Sequence, residues 1–180
     1  MGPSSVAVDP ARTFMPIRIA VLTVTDTRDA STDSSGDLLA ARIAAAGHVL
    51  AQRALVKDDA EVIAAQLNAW IDHGLADAII TTGGTGLTGR DVTPEALGQI
   101  ADKHIPGFGE LFRWLSYQSI GTSTVQSRAC AVVARGVYIF ALPGSNGAVK
   151  DGWDGILAEQ LDSRNRPCNF VELMPRLREI

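Results

Sequence analysis

The sequence predicts an α/β domain built on a parallel or mostly parallel sheet covered on both faces. Three observations carry the prediction. Apolar, β-branched runs of strand length alternate with longer amphipathic stretches. The amphipathic stretches open on capping residues and close on glycine. The chain has 180 residues, 46% of them hydrophobic, enough for one domain with a substantial core.

IRIAVLTVT, residues 17–25, reads as a buried strand. A polar loop rich in Asp, Ser and Thr follows, then a helix over GDLLAARIAAAG that Gly47 stops. HVLAQRALV is a second strand. KDDAEVIAAQLNAWIDHG is an amphipathic helix with Asp58 or Asp59 as N-cap and Gly74 as stop. DAIITT, residues 77–82, is a short buried strand feeding a glycine-rich loop. Thr93 then caps a helix that begins at Pro94 with Glu95 in its first turn. IPGFGELFRWLSYQSIG reads as a turn and a helix. TSTVQSRACAVVA fits either element, and its small residues favour a helix. GVYIFALPGS is a strand running into a Pro-Gly turn, SNGAVKDGWDGILAEQL a further helix, and RPCNFVELM a closing extended segment. Right-handed crossovers are expected between parallel strands. Residues 1–16 read as a disordered N-terminal tail and residues 17–180 as one domain.

A net charge of −4 argues against a broad basic footprint, so no nucleic-acid partner is expected. The N-terminus lacks the apolar core of a signal peptide, and Val6 breaks the myristoylation pattern. No apolar run is long enough for a bilayer, so no membrane partner is expected. A cytoplasmic, reduced protein is expected. Cys130 lies in the apolar run ACAVVA and reads as a buried thiol, and Cys168 lies near the end. Neither they nor His48, His73 and His104 show metal-ligand spacing. Trp70, Trp114 and Trp153 read as core or interface residues. Trp114 and Tyr117 share an apolar helix with Phe112 and Leu115, which points to a subunit interface.

Three polar or glycine-rich loops leave strand ends: residues 26–36, 83–93 and 143–147. In a parallel sheet they meet at one edge, where ligands of such folds sit. Gly84 to Gly89 matches G-x-G-x-x-G, but the helix that should open at once waits for Thr93. No acid ends a following strand either, so a nicotinamide-dependent oxidoreductase is disfavoured. A P-loop lacks its Gly-Lys-Ser or Gly-Lys-Thr. The loop's free N–H groups suit an anion, Thr82 and Thr85 add hydroxyls, and Arg90 can neutralise phosphate. Asp91 suits a metal or ring N–H groups. A tight turn with Asp91 as a cap is the simpler alternative, and both stand on the loop alone.

TTGGTG…RDVTPEA resembles the signature of the MoaB/MogA family of molybdenum cofactor biosynthesis proteins. The likeness continues in TVTDTR…DSSG, VKDD, PGFGELFRWLSYQSIGTSTVQSRA and IFALPGSNGAV, from Ile17 to the end of the chain. RWLSYQSIGTSTVQSRA and LDSRNRPCNF are closer to the MoaB branch. The resemblance implies a three-layer α/β/α sandwich with a mostly parallel sheet, assembled as trimers or hexamers. It implies a molybdopterin adenylyltransferase, a nucleotidyltransferase that moves AMP from ATP to the terminal phosphate of molybdopterin and releases pyrophosphate. A non-catalytic molybdopterin-binding or assembly protein is the alternative. ATP and molybdopterin are then substrates, Mg²⁺ the cofactor, and other molybdenum cofactor enzymes possible partners.

On this likeness Gly83, Gly84, Thr85, Gly86, Ser127, Arg128, Pro143, Gly144 and Ser145 bind molybdopterin. Thr25, Asp26, Ser35 and Gly36 line the nucleotide side. Asp58 and Asp91 are catalytic and hold Mg²⁺. The helix after Ser145 would point its N-terminus at phosphate. The chain departs from the family in having Lys57 where Pro often precedes the acid, and Asn146 where Pro often follows the second turn.

Overall fold

A computed structural model of the protein describes residues 8–179. Six strands form one sheet: β1 (Arg18–Val24), β2 (Val49–Val56), β3 (Ala78–Thr82), β4 (Lys103–His104), β5 (Cys130–Ala134) and β6 (Val137–Leu142), in the order β2-β1-β3-β6-β5-β4. The β1–β2, β1–β3 and β3–β6 pairs are parallel, and β5 and β4 add an antiparallel flank. The mostly parallel three-layer α/β/α architecture is therefore as expected.

Strand pleat sorts the core into two sides. Ile19 and Val21 of β1 face a cluster with Ile80, Phe140, Phe112 and Trp153, under α1 (Ser34–Ala45), α4 (Pro106–Ile120) and α5 (Asn146–Gly152). Ala20, Leu22 and Val24 face the other side, against Ile63, Leu67 and Trp70 of α2 (Ala60–Asp72) and Leu97 of α3 (Thr93–Ile100). Trp70 and Trp153 are core residues, whereas Trp114 and Tyr117 stand exposed on α4.

Three expectations need correction. Residues 122–134 are not one helix: a 3₁₀ helix (Gly121–Gln126) precedes strand β5. Arg135 and Gly136 both take positive φ, 47° and 83°, and make the two-residue hairpin that pairs Ala134 with Val137. A short apolar run such as ACAVVA carries no period of its own, so the turn and the β6 partner decide its conformation. Cys130 is only partly buried there, yet burial pushes its thiol up to about 11. Secondly, the closing segment is not extended throughout. Asn169 accepts from the Glu172 N–H at 3.0 Å and starts α6 (Phe170–Leu173). Thirdly, residues 8–16 of the expected tail are tied down, while residues 1–7 lie outside the described residues. The Asp9 N–H donates to the Arg164 carbonyl at 3.0 Å, and the Met15 N–H to the Ser163 hydroxyl at 2.8 Å.

The loop after β1 is anchored by Asp33, which is fully buried. Its carboxylate caps α1 at the Gly36 N–H (3.0 Å), accepts from the Thr23 hydroxyl (2.7 Å) and pairs with Arg53 (2.8 Å). Burial pulls its pKa up, but the bonds from Arg53, Thr23 and Gly36 outweigh that and hold it below the usual carboxylate range. Its stabilising contribution is present above the unfolded pKa and is lost as pH falls through the folded one. Asp33→Ala is expected to cost about 3 kcal/mol by leaving the buried Thr23 hydroxyl and the Gly36 N–H unpartnered and Arg53 with Asp37 alone. Asp59→Ala, which removes only a surface cap, costs about 1 kcal/mol. Urea denaturation followed by circular dichroism measures both, and equal losses would contradict the assignment.

Candidate functional site

β1, β3 and β6 lie side by side and point the same way, so their C-terminal ends share one edge. The chain leaves β1 toward β2 and returns across it to β3, which places a crevice between the ends of β1 and β3. The three strand-end loops meet there. The Gly83 N–H donates to the Leu142 carbonyl at 2.9 Å, and the Thr82 hydroxyl to the Pro143 carbonyl at 3.2 Å. Arg28, from the first loop, donates to the Gly144 carbonyl at 3.1 Å.

Glycine is required where these backbones cross. Gly83 has φ +107°, and a Cβ there would run into the Val24 carbonyl. Gly84 has φ +68°, and a Cβ there would run into the Thr93 hydroxyl. Thr93 does not cap α3, whose N-cap is Val92 without a side-chain bond. Its hydroxyl instead donates to the Gly83 carbonyl at 2.9 Å and its N–H to the Gly84 carbonyl at 3.0 Å, pinning the loop from beneath.

Two cavities adjoin these turns. The polar one, about 360 Å³, is lined by Thr25, Asp26, Arg28, Asp58, Gly83, Gly84, Arg90, Asp91 and Gly144. The larger, about 420 Å³, is lined by Thr85, Gly86, Ser127, Pro143 and Ser145, with Phe112, Ser116, Ser119 and Ile120 of α4 and Lys150 and Asp151 of α5. Both fall within the size range of small-molecule sites. Consecutive residues of each turn face different cavities: Gly84 against Thr85, and Gly144 against Pro143 and Ser145. The two turns thus form the wall between them.

The choice between Asp58 and Asp59 resolves cleanly. Asp59 caps α2, accepting from the N–H groups of Glu61 (2.9 Å) and Val62 (3.1 Å). Asp58 is left facing the polar cavity, and its N–H donates to Asp26 at 3.3 Å. Burial, and then the nearby negative charges of Asp26 and Asp91, push the Asp58 pKa up. Asp91 goes the other way. Burial pulls its pKa up, but bonds from the Thr88 hydroxyl (2.7 Å) and N–H (2.8 Å), with the Arg128 charge, hold it below the usual range. Arg90 forms an ion pair with Asp26 across the same cavity.

Some expected residues sit elsewhere. Ser35 and Gly36 are buried and line neither cavity; Ser35 instead accepts from Arg28 at 3.1 Å. Space beside Gly36 is filled by the Asp33 carboxylate and Arg53. Arg128 spends its guanidinium within the protein, on the carbonyls of Gly86 (2.7 Å) and Asp91 (2.6 Å) and on Glu95, so it braces the loop. The Ser145 hydroxyl caps α5 at the Ala148 N–H, 3.1 Å away. Arg28, Ser116, Ser119, Thr124 and Asp151 line the cavities unanticipated. Two serines three apart, Ser116 and Ser119, are the trace the sequence offers of the α4 contribution.

The family described as "Probable molybdopterin binding domain" matches residues 20–163, a span that includes all three loops. The chain belongs to the MoaB/MogA family of molybdopterin-binding proteins. Its MoaB character shows in a relative from Escherichia coli (strain K12), "Molybdenum cofactor biosynthesis protein B", 49% identical over 157 residues, 87% of this chain and 92% of that one. A solved structure of "Molybdenum cofactor biosynthesis protein B" superposes with a TM-score of 0.83 at 36% identity, covering 92% of this chain and 98% of that one. A second, described as "tungsten cofactor synthesizing protein MoaB from Pyrococcus furiosus", gives 0.69 at 36% identity over 80% and 92%. Among the described residues no helix is long and apolar enough to cross a membrane.

Because the folded-state pKa of Asp58 is raised, its ionised form destabilises this MoaB-type fold. Its favourable contribution is complete below the unfolded pKa and is lost as pH rises through the folded value. Asp58→Asn is therefore expected to raise the Tm by about 1–2 °C at pH 7, with the gain vanishing toward pH 3. Differential scanning calorimetry across pH checks this; a lower Tm for the variant at pH 7 would contradict the like-charge crowding.

Proposed function

We propose that the chain is a molybdopterin adenylyltransferase. Molybdopterin occupies the larger cavity with its terminal phosphate at the glycine loop, and ATP occupies the polar one. The observation that carries this reading is the shared wall. Two small-molecule cavities meet at two glycine-bearing main-chain turns, so phosphates from both sides can reach each other there. A terminal phosphate oxygen of molybdopterin attacks the α-phosphorus of ATP. The bond between α-phosphorus and its bridging oxygen breaks, and that oxygen leaves on pyrophosphate. The protein's task is to hold the two groups in line and to meet the charge that spreads over the non-bridging oxygens.

The residues support this division. Gly84 and Thr85 offer backbone N–H groups and a hydroxyl, while Gly83 and Gly86, whose N–H groups go to Leu142 and Asp91, let the loop come close to a ligand. Pro143, Gly144 and Ser145 form the opposing turn, and Ser127 stands on the pterin side. Thr25 and Asp26 line the nucleotide side with Arg28 and Arg90. Arg128 positions Gly86 and Asp91.

Mg²⁺ fits the donor set. Asp58 and Asp91 supply hard oxygens, and the crowding of Asp26, Asp58 and Asp91 is what a bound cation would relieve. Among the described residues no three metal-ligating side chains form a ready cage. That suits Mg²⁺, which keeps waters and shares phosphate oxygens. When bound it would neutralise phosphate charge. Asp58 and Asp91 would hold it.

Purified protein given molybdopterin, ATP and Mg²⁺ is expected to release pyrophosphate and form adenylylated pterin, detected by coupled assay and mass spectrometry. Asp91→Ala and Asp58→Ala should each lower the rate at least about a hundredfold. Pterin binding without pyrophosphate release would reduce the protein to a non-catalytic molybdopterin carrier.

Self-association into trimers or hexamers belongs to the same proposal. Leu111, Trp114, Tyr117 and Ile120 on α4 and Val125 beyond it expose large apolar side chains, Val125 at 77%. Trp114→Glu is expected to lower the mass found by light scattering to that of one chain; an unchanged assembly would place the interface elsewhere.

A further inference from the structure

We propose that Asp151 recognises the 2-amino-4-oxopyrimidine edge of a pterin, oriented by Ser116 and Ser119. The inference rests on the reading that the larger cavity holds a pterin, and it assigns the group that would select one. Asp151 lies on α5 and lines the cavity that also receives Thr85 and Gly86 of the glycine loop. The same cavity exposes Phe112, Ile120 and Ala148, a largely apolar surround for a planar ring. A carboxylate in such surroundings needs hydrogen-bond partners. Ser116, itself only 3% exposed, donates to Asp151 Oδ2 at 2.7 Å, and the Ser119 hydroxyl, within 3.0 Å of the Ser116 carbonyl, lies 3.5 Å from the same oxygen. Oδ1 has no hydrogen-bond partner among the described residues.

A carboxylate offers about four lone-pair sites, and the serines address one oxygen. What remains is acceptor capacity on a residue that lines the cavity. A pterin presents its ring N3–H and exocyclic 2-amino group side by side, both donors, and a carboxylate accepts such a pair well. The pterin's phosphate would meet the glycine loop while its pyrimidine edge meets Asp151. A purely structural Asp151 would tie α4 to α5 through Ser116 and have no preference among ring edges.

The test is fluorescence titration of the full chain, without ATP, using 6-hydroxymethylpterin phosphate and its lumazine counterpart. The lumazine bears a 2-oxo group in place of the amine and the same phosphate. The unmodified protein is expected to prefer the pterin by about tenfold or more. Asp151→Asn should lose that preference, and Ser116→Ala should narrow it. Equal binding of both compounds by the unmodified protein overturns the proposal and leaves the cavity's assignment to a pterin intact. A preference that survives in Asp151→Asn, with its fold verified by circular dichroism, overturns it as well. Binding of neither compound overturns it together with the pterin reading of the cavity.

Discussion

The site depends on a contact between main chains. The turn after β3 and the turn after β6 press together so closely that a Cβ on Gly144 would lie 3.3 Å from the Gly83 Cα. On its other side Gly83 abuts the Val24 carbonyl at the end of β1. Three parallel strands therefore end in direct backbone contact, with no side chains to hold their loops apart. Thr93 and Arg128 bond the carbonyls of Gly83, Gly84 and Gly86 from below and behind. The loop is thus held through its carbonyls, and Gly84 and Thr85 at its crest line the two cavities.

Charge is arranged around that cradle with equal economy. Neighbouring aspartates do opposite jobs: Asp59 satisfies the orphan N–H groups of α2, while Asp58 is held, at a cost to stability, beside Asp26 and Asp91. Asp91 is kept ionised by donors of its own loop, and Asp58 is pushed toward the neutral form. Environments that drive two carboxylates apart in this way are typical of sites built for chemistry, where a ligand or cation completes the balance.

Much of this was legible in the chain. Buried strands at Ile19 and Ile79 and the helices between them follow from period and capping alone, and the meeting of the three loops follows from parallel order. What the sequence hid was decided by long-range partners. The run around Val132 has no period to betray a strand; its pairing with β6 through the Arg135-Gly136 turn makes it one. Asn169 followed three residues later by Glu172 did carry a cap pattern, but in a segment too short to stand out. Ser35 and Gly36 matched a family motif, yet the buried Asp33–Arg53 pair beneath them keeps them from the cavity. Asp151 meets Ser116 across 35 positions of chain, a juxtaposition that no local pattern encodes.

The antiparallel flank has a further effect on how the molecule meets its surroundings. The sheet tapers there to β4, two residues long, with the ring of Pro106 close behind. A foreign peptide arriving at this border finds almost no run of unpaired amides to zip onto, and the proline removes one more donor. On this flank the taper guards against fibrous stacking together with Lys103, a charge standing exposed on the edge strand itself.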